Sequence, residues 1–157
     1  MAANTSPIFP LTPNPGLMNV LLTTALTNTK AFDGTDTAGT ALAQCFLAGT
    51  NGARVDSLTV QLTSTNGATA SGTTAANLVR FWINNGSANT TATNNQLLGE
   101  ISIAAATVTA LGTSANPVYT FQVNKSIPAG YKIYAGTTIA VGGTACALLV
   151  SANGGDY

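Results

Sequence analysis

The chain has 157 residues and carries five basic and five acidic side chains, which cancel. Only 6% of its residues are charged, where an ordinary soluble domain has about 25%, and it has no histidine. That excludes histidine-based catalysis and imidazole-built zinc or haem sites. Five scattered cations are too few for binding that rests on phosphate neutralisation. A 45% hydrophobic content with zero net charge is the opposite of a disordered composition.

The length fits one domain. No run approaches the roughly 18 apolar residues of a membrane helix. The start, Met1-Ala2-Ala3-Asn4-Thr5-Ser6-Pro7, lacks the basic and apolar regions of a signal peptide. These features predict a soluble chain made in a cytoplasm, with neither membrane nor nucleic acid as partner.

Residues 1–16 read as a separate arm. Pro7, Pro10, Pro13 and Pro15 each fix their own φ and push the preceding residue toward extended backbone. The segment therefore reads as extended, with Ile8, Phe9 and Leu11 around Pro10 as an apolar cluster suited to docking on its own domain or on a partner. Residues 17–157 read as a single domain built of strands.

Leu17–Thr27 is rich in Leu, Val and Thr, and Thr40–Leu47 is bounded by Gly39 and Gly49. Arg54–Thr63 alternates, with Leu58, Val60 and Leu62 on one face and Thr59, Gln61 and Thr63 on the other, as a half-buried strand requires. Asn77–Ile83 places Val79, Phe81 and Ile83 on one face and Leu78, Arg80 and Trp82 on the other. Bulk on both faces predicts a central strand, or one whose second face meets a neighbour. Gln96–Ile103, Val118–Val123, Tyr131–Ala135, Thr138–Val141 and Ala145–Val150 complete the set. Asn-Gly, a strong turn dipeptide, occurs at 51–52, 66–67, 85–86 and 153–154. Eight or nine strands with regular turn signals and no convincing amphipathic helix predict an all-β fold, an antiparallel, jelly-roll-like β-sandwich.

Cys45 and Cys146 have no metal-ligand spacing and read as small apolar core residues. A jelly roll would place Cys45's strand beside the last strand and make the two thiols neighbours. The sequence leaves open whether they pair.

Candidate chemistry is sparse. Asp33-Gly34-Thr35-Asp36 is the one close carboxylate pair, and it offers too few oxygens for a calcium loop. It reads as a turn. Asp56 and Glu100 have no context that marks a glycosidase pair. The glycine-rich Asn66–Thr73 leads into a strand, so it forms no phosphate cradle at a helix start. No catalytic residue, metal site or cofactor is assigned, and the chain reads as a non-enzyme. Tyr131 and Tyr134, flanking Lys132 and Ile133, read equally as core residues or as candidate oligomer-interface residues, since tyrosine is favoured at protein contacts.

The segment Ser126-Ile127-Pro128-Ala129-Gly130-Tyr131-Lys132-Ile133-Tyr134, the Gly154-Gly155-Asp156-Tyr157 end, Val79-Arg80-Phe81-Trp82-Ile83 and Leu97-Leu98-Gly99-Glu100-Ile101 carry a resemblance. Over roughly residues 53–157 the chain resembles small tailed-phage virion proteins, above all capsid cement or decoration proteins. The resemblance implies a virion protein on the capsid exterior, assembled in the host bacterial cytoplasm, that binds the major capsid protein and stabilises the head. It implies a homo-oligomer, a trimer before a dimer, with Ile8, Phe9, Pro10 and Leu11 as a capsid-binding arm. The alternative is a head-fibre or tail protein that binds a receptor or glycan, which needs Trp82 and the tyrosines exposed together.

Overall fold

The structure, a computed structural model, describes residues 12–13, 19–26, 33–35, 42–65, 70–109 and 116–157. Their regular elements are strands β1 (Thr12–Pro13), β2 (Asn19–Leu22), β3 (Leu42–Leu47), β4 (Ala53–Ser64), β5 (Gly72–Thr73), β6 (Asn77–Asn84), β7 (Asn95–Ile103), β8 (Thr107–Val108), β9 (Val118–Ile127), β10 (Lys132–Thr137) and β11 (Cys146–Asp156), with one 3-10 turn at Ala92–Asn94.

Two antiparallel sheets form the body. One runs β2-β11-β4-β9, and β1 joins β11 on the same side as β2; the other runs β3-β10-β6-β7. The chain passes repeatedly from one sheet to the other, and the two antiparallel sheets make the β-sandwich that the alternation predicts. A short β5–β8 ribbon pairs with neither sheet. The sequence places β6 as an inner strand, and β6 is flanked by β10 and β7.

Alternation decides which side chains fill the space between the sheets. Leu58 and Val60 from β4, Val79 and Phe81 from β6, Ile133 from β10 and Val150 from β11 are all fully shielded within one core. The Phe81 and Phe121 rings stack across the sheets, centroids 5.4 Å apart at 28°. Gly99 makes room for that contact, because a Cβ there would lie 2.3 Å from the Phe121 ring. Burying one Leu or Val side chain is worth about 1.5–3 kcal/mol, against about 0–1 kcal/mol for an exposed ion pair. The core therefore holds the fold, and the Arg54–Asp56 pair adds little.

The outer face of the β3-β10-β6-β7 sheet is also covered. Trp82 stands opposite Tyr134 and packs with it, Leu42, Leu26 and Leu97 in a second cluster. Gly34 lies against the indole, where a Cβ would come within 2.8 Å of it. Leu26 is tied down by its amide to the Thr137 carbonyl (2.8 Å), and the Thr137 hydroxyl donates to the Thr24 carbonyl (2.9 Å). Leu26 and Gly34, from the chain between β2 and β3, thus cover part of a face that a two-layer sandwich would leave wet.

Three expectations are corrected. Thr138–Val141 is not a strand: the chain bends at Thr138 and Ile139, and Ile139 is exposed. Asn153-Gly154 is not a turn but a bulge inside β11, which runs on to Asp156. Cys45's strand does not lie beside the last strand: β3 pairs with β10, and β2 flanks β11. Both cysteines are free and buried; Cys45 Sγ donates to the Ile133 carbonyl, and Cys146 Sγ to the Thr144 carbonyl. No helix among the described residues is long and apolar enough to cross a membrane.

Candidate functional site

One end of the sandwich gathers the features the sequence marks out. Lys132 at the start of β10 stands between Leu47 at the end of β3 and Asn84 at the end of β6. The β3–β4 turn, the β6–β7 loop and the β9–β10 turn therefore meet there. The end of β11 and the pairing of β1 with it, Thr12 opposite Asp156 and Pro13 opposite Gly155, lie at the same end.

These turns lock to one another through backbone. Asn51-Gly52 turns sharply, with Gly52 at φ +83° and its amide on the Gly49 carbonyl at 3.1 Å. In the Pro128-Ala129-Gly130 turn the Tyr131 amide reaches the Pro128 carbonyl (3.2 Å), and Gly130 takes φ +73°, the left-handed region that favours glycine. The two turns clasp each other: the Ala48 amide donates to the Tyr131 carbonyl (2.9 Å) and the Gly130 amide to the Ala48 carbonyl (3.2 Å). Tyr157 closes the end with its amide on the Gly52 carbonyl (3.1 Å) and its hydroxyl 2.7 Å from Ser126 Oγ. Asp156 Oδ1 accepts the Gly49 amide at 3.0 Å.

Asparagines build the β6–β7 loop. Fully buried Asn84 donates through Nδ2 to Asn95 Oδ1 (2.8 Å) and accepts the Gly86 amide (2.9 Å). Asn95 Nδ2 donates to the Gly34 and Asn89 carbonyls. These amides satisfy buried groups of the chain itself, as burial demands, and hold the loop's shape.

Two hollows open on this end. The polar one is lined by Asn84, Asn85, Asn94, Gln96 and Tyr131. The other is almost wholly apolar, lined by Leu47, Ala48, Gly49, Thr50, Ala129 and Gly130, and lies against Asp156 through Gly49.

Of the residues singled out in the sequence, Ile8, Phe9, Pro10 and Leu11 lie outside the described residues, but the root of their segment is fixed here by β1. Tyr131 is half-buried at the same end. Tyr134 is 6% exposed, packed on Trp82, so it serves this chain's own interior rather than a displayed face. Burial pushes its phenol pKa up. The alternation of β10 shows that Tyr134 faces one way; it cannot show that Leu26, distant in sequence, returns to pack against the cluster Tyr134 shares with Trp82.

The carboxylates do not converge. Asp33 accepts the Thr35 amide (3.0 Å) and hydroxyl (2.7 Å) in a local turn, while Asp36 lies outside the described residues. Asp56 pairs with Arg54 on β4, and Glu100 on β7 pairs with Arg80 directly opposite it on the adjacent strand β6. Among the described residues no three His, Cys, Asp or Glu side chains group as metal ligands would. What this end presents is a set of hydrogen-bonded turns, an apolar recess and the paired residues Thr12 and Pro13.

No protein-family model, no curated protein and no solved structure matches the chain.

Proposed function

We propose that the chain is a capsid decoration protein, which binds as a homo-oligomer to the outer surface of a tailed-phage head and stabilises the shell. The observation that carries this reading is how little unbalanced charge the surface presents. Arg54–Asp56 and Arg80–Glu100 neutralise each other locally, and Asp33 and Asp156 are engaged by turn amides. Lys125 and Lys132 are the remaining charges among the described residues. Thr, Asn, Ser and Gly lose little side-chain entropy on contact and carry no charge whose desolvation would cost several kcal/mol. Such a surface suits permanent coverage by neighbours. The resemblance of residues 53–157 to small phage virion proteins points the same way.

Receptor or glycan binding draws less support, because among the described residues Trp82 and Tyr134 are not exposed together with the other tyrosines. Trp82 is 1% exposed and Tyr134 6%, both committed to the cluster they form with Leu42, Leu26 and Leu97.

Copy number on purified particles tests the proposal. Decoration of a shell expects hundreds of copies per particle, and particles stripped of the protein should rupture at a lower temperature. A count near ten per particle would overturn it in favour of a fibre. Removing residues 1–11 leaves β1 in place and should abolish attachment while the domain stays folded by circular dichroism; undiminished attachment would remove the arm from the capsid contact.

A further inference from the structure

We propose that the apolar hollow formed by Leu47, Ala48, Gly49, Thr50, Ala129 and Gly130 is the seat of residues 8–11 of the same chain. The arm then packs on the end of its own sandwich, and any partner meets arm and end as one surface.

Strand direction gives the first argument. β1 is antiparallel to β11 with Thr12 opposite Asp156. The residues before Thr12 therefore set out past the C-terminal end of β11, where the hollow lies. Asp156 bridges the two directly, since its carboxylate holds the Gly49 amide at 3.0 Å and Gly49 lines the recess.

Reach gives the second. Extended chain advances about 3.3 Å per residue. Leu11 is one residue from Thr12 and Ile8 four, so all four positions fall within about 13 Å of the anchored strand. Sequence distance thus ties this cluster to this recess and not to the hollow at the opposite end, which is lined by Asn77, Ser102, Ala104, Tyr119 and Thr138.

Chemistry gives the third. The recess has no charged side chain in its lining. Two of its backbone amides, Ala48 and Gly130, are already engaged in the turn-to-turn clasp. It therefore selects apolar side chains over a polar ligand, and Ile8, Phe9 and Leu11 are the large apolar residues nearest β1. Pro7 and Pro10 restrict the free arm and reduce the entropy lost on seating. Tethering favours the chain's own arm over that of a second copy.

The test uses the full-length protein. Chymotrypsin cleavage after Leu11 reads exposure of the arm, and amide resonances of Ala48, Gly49, Ala129 and Gly130 read occupancy of the recess. Two variants are compared with the parent. Phe9→Ser removes the largest apolar side chain of the arm; Ala129→Glu places a charge in the recess at an exposed turn position that the fold tolerates. Both should speed cleavage about tenfold, as a shift in a local opening equilibrium does. Phe9→Ser should also move the recess resonances, independently of protein concentration. Cleavage of the parent as fast as of both variants would overturn the seat. So would resonance changes that depend on protein concentration, which mean a second copy's arm, or that appear only when capsid is added, which mean a capsid segment. Capsid attachment of the same variants is measured separately, so that failure of the decoration reading and failure of the seat are distinguishable.

Discussion

Cys45 sits wholly buried in β3, its thiol directed at the Ile133 carbonyl, and burial pushes its pKa from the ordinary 9.0 up to about 12. Loss of charge solvation is the larger cause. The unfolded chain releases this proton near 9.0 and the folded chain holds it to about 12. Below that window both states are protonated and the stabilising effect of the buried neutral thiol is fully present. Within it the unfolded state binds fewer protons, so stability falls as pH rises, by up to about 1.4 kcal/mol per pH unit. Tyr134, also raised by burial, acts in the same direction at higher pH. Urea midpoints at about pH 8 and about pH 10.5 should drop steeply for the parent and less for Cys45→Ala. Equal drops would show that Cys45 is not the group responsible. Thiol reagents should leave Cys45 untouched until the chain unfolds, because only the thiolate reacts.

At the scale of elements, β11 shows what a local reading of sequence misses. Asn153-Gly154 has the composition of a hairpin turn, yet the strand continues because twelve-residue β4 lies alongside to pair with Ser151–Asp156. The dipeptide becomes a bulge, and glycine is required there by close approach: a Cβ on Gly154 would stand 2.2 Å from the Arg54 carbonyl oxygen. Gly154→Ala must displace backbone and should cost about 1–3 kcal/mol, as overpacking does. Asn153→Ala, next to it but exposed, should stay within about 0.5 kcal/mol. Thermal melts of the two variants check this, and equal melting temperatures would mean that β11 ends before the bulge. The same contrast separates what was legible from what was not. Leu58, Val60 and Leu62 declare their face by period two, because each strand's pattern is local. Covering of the Trp82–Tyr134 face by Gly34, and the use of Asn84 and Asn95 as internal props, depend on chain segments far away in sequence. For the candidate site, the prolines mark the arm and Pro128–Gly130 marks its turn. The recess between that turn and Leu47–Thr50 belongs to no single segment and has no linear signature.

For the whole molecule, the decisive quantity is the balance of charge. Ten charges in zero-sum balance, four of them in the Arg54–Asp56 and Arg80–Glu100 pairs, leave almost no long-range field to steer association or to hold copies apart. Charged interfaces weaken as salt shortens the Debye length from about 10 Å at 0.1 M to about 3 Å at 1 M. An interface made of Thr, Asn, Ser and apolar side chains has little to screen. Its strength comes from contact area and from hydrogen bonds exchanged with water, and excluded salts such as sulfate reinforce burial of that kind. If the decoration reading holds, dissociation of the protein from capsids should change by less than about threefold between 0.1 M and 1 M sodium chloride, since little Coulomb energy is lost, and sodium sulfate should tighten it. Sedimentation of decorated particles across that series measures the effect. A decrease of a hundredfold or more in sodium chloride, on the scale of several ion pairs lost, would place Lys125, Lys132 and their carboxylate partners at the interface. The neutral surface would then not be what holds the shell.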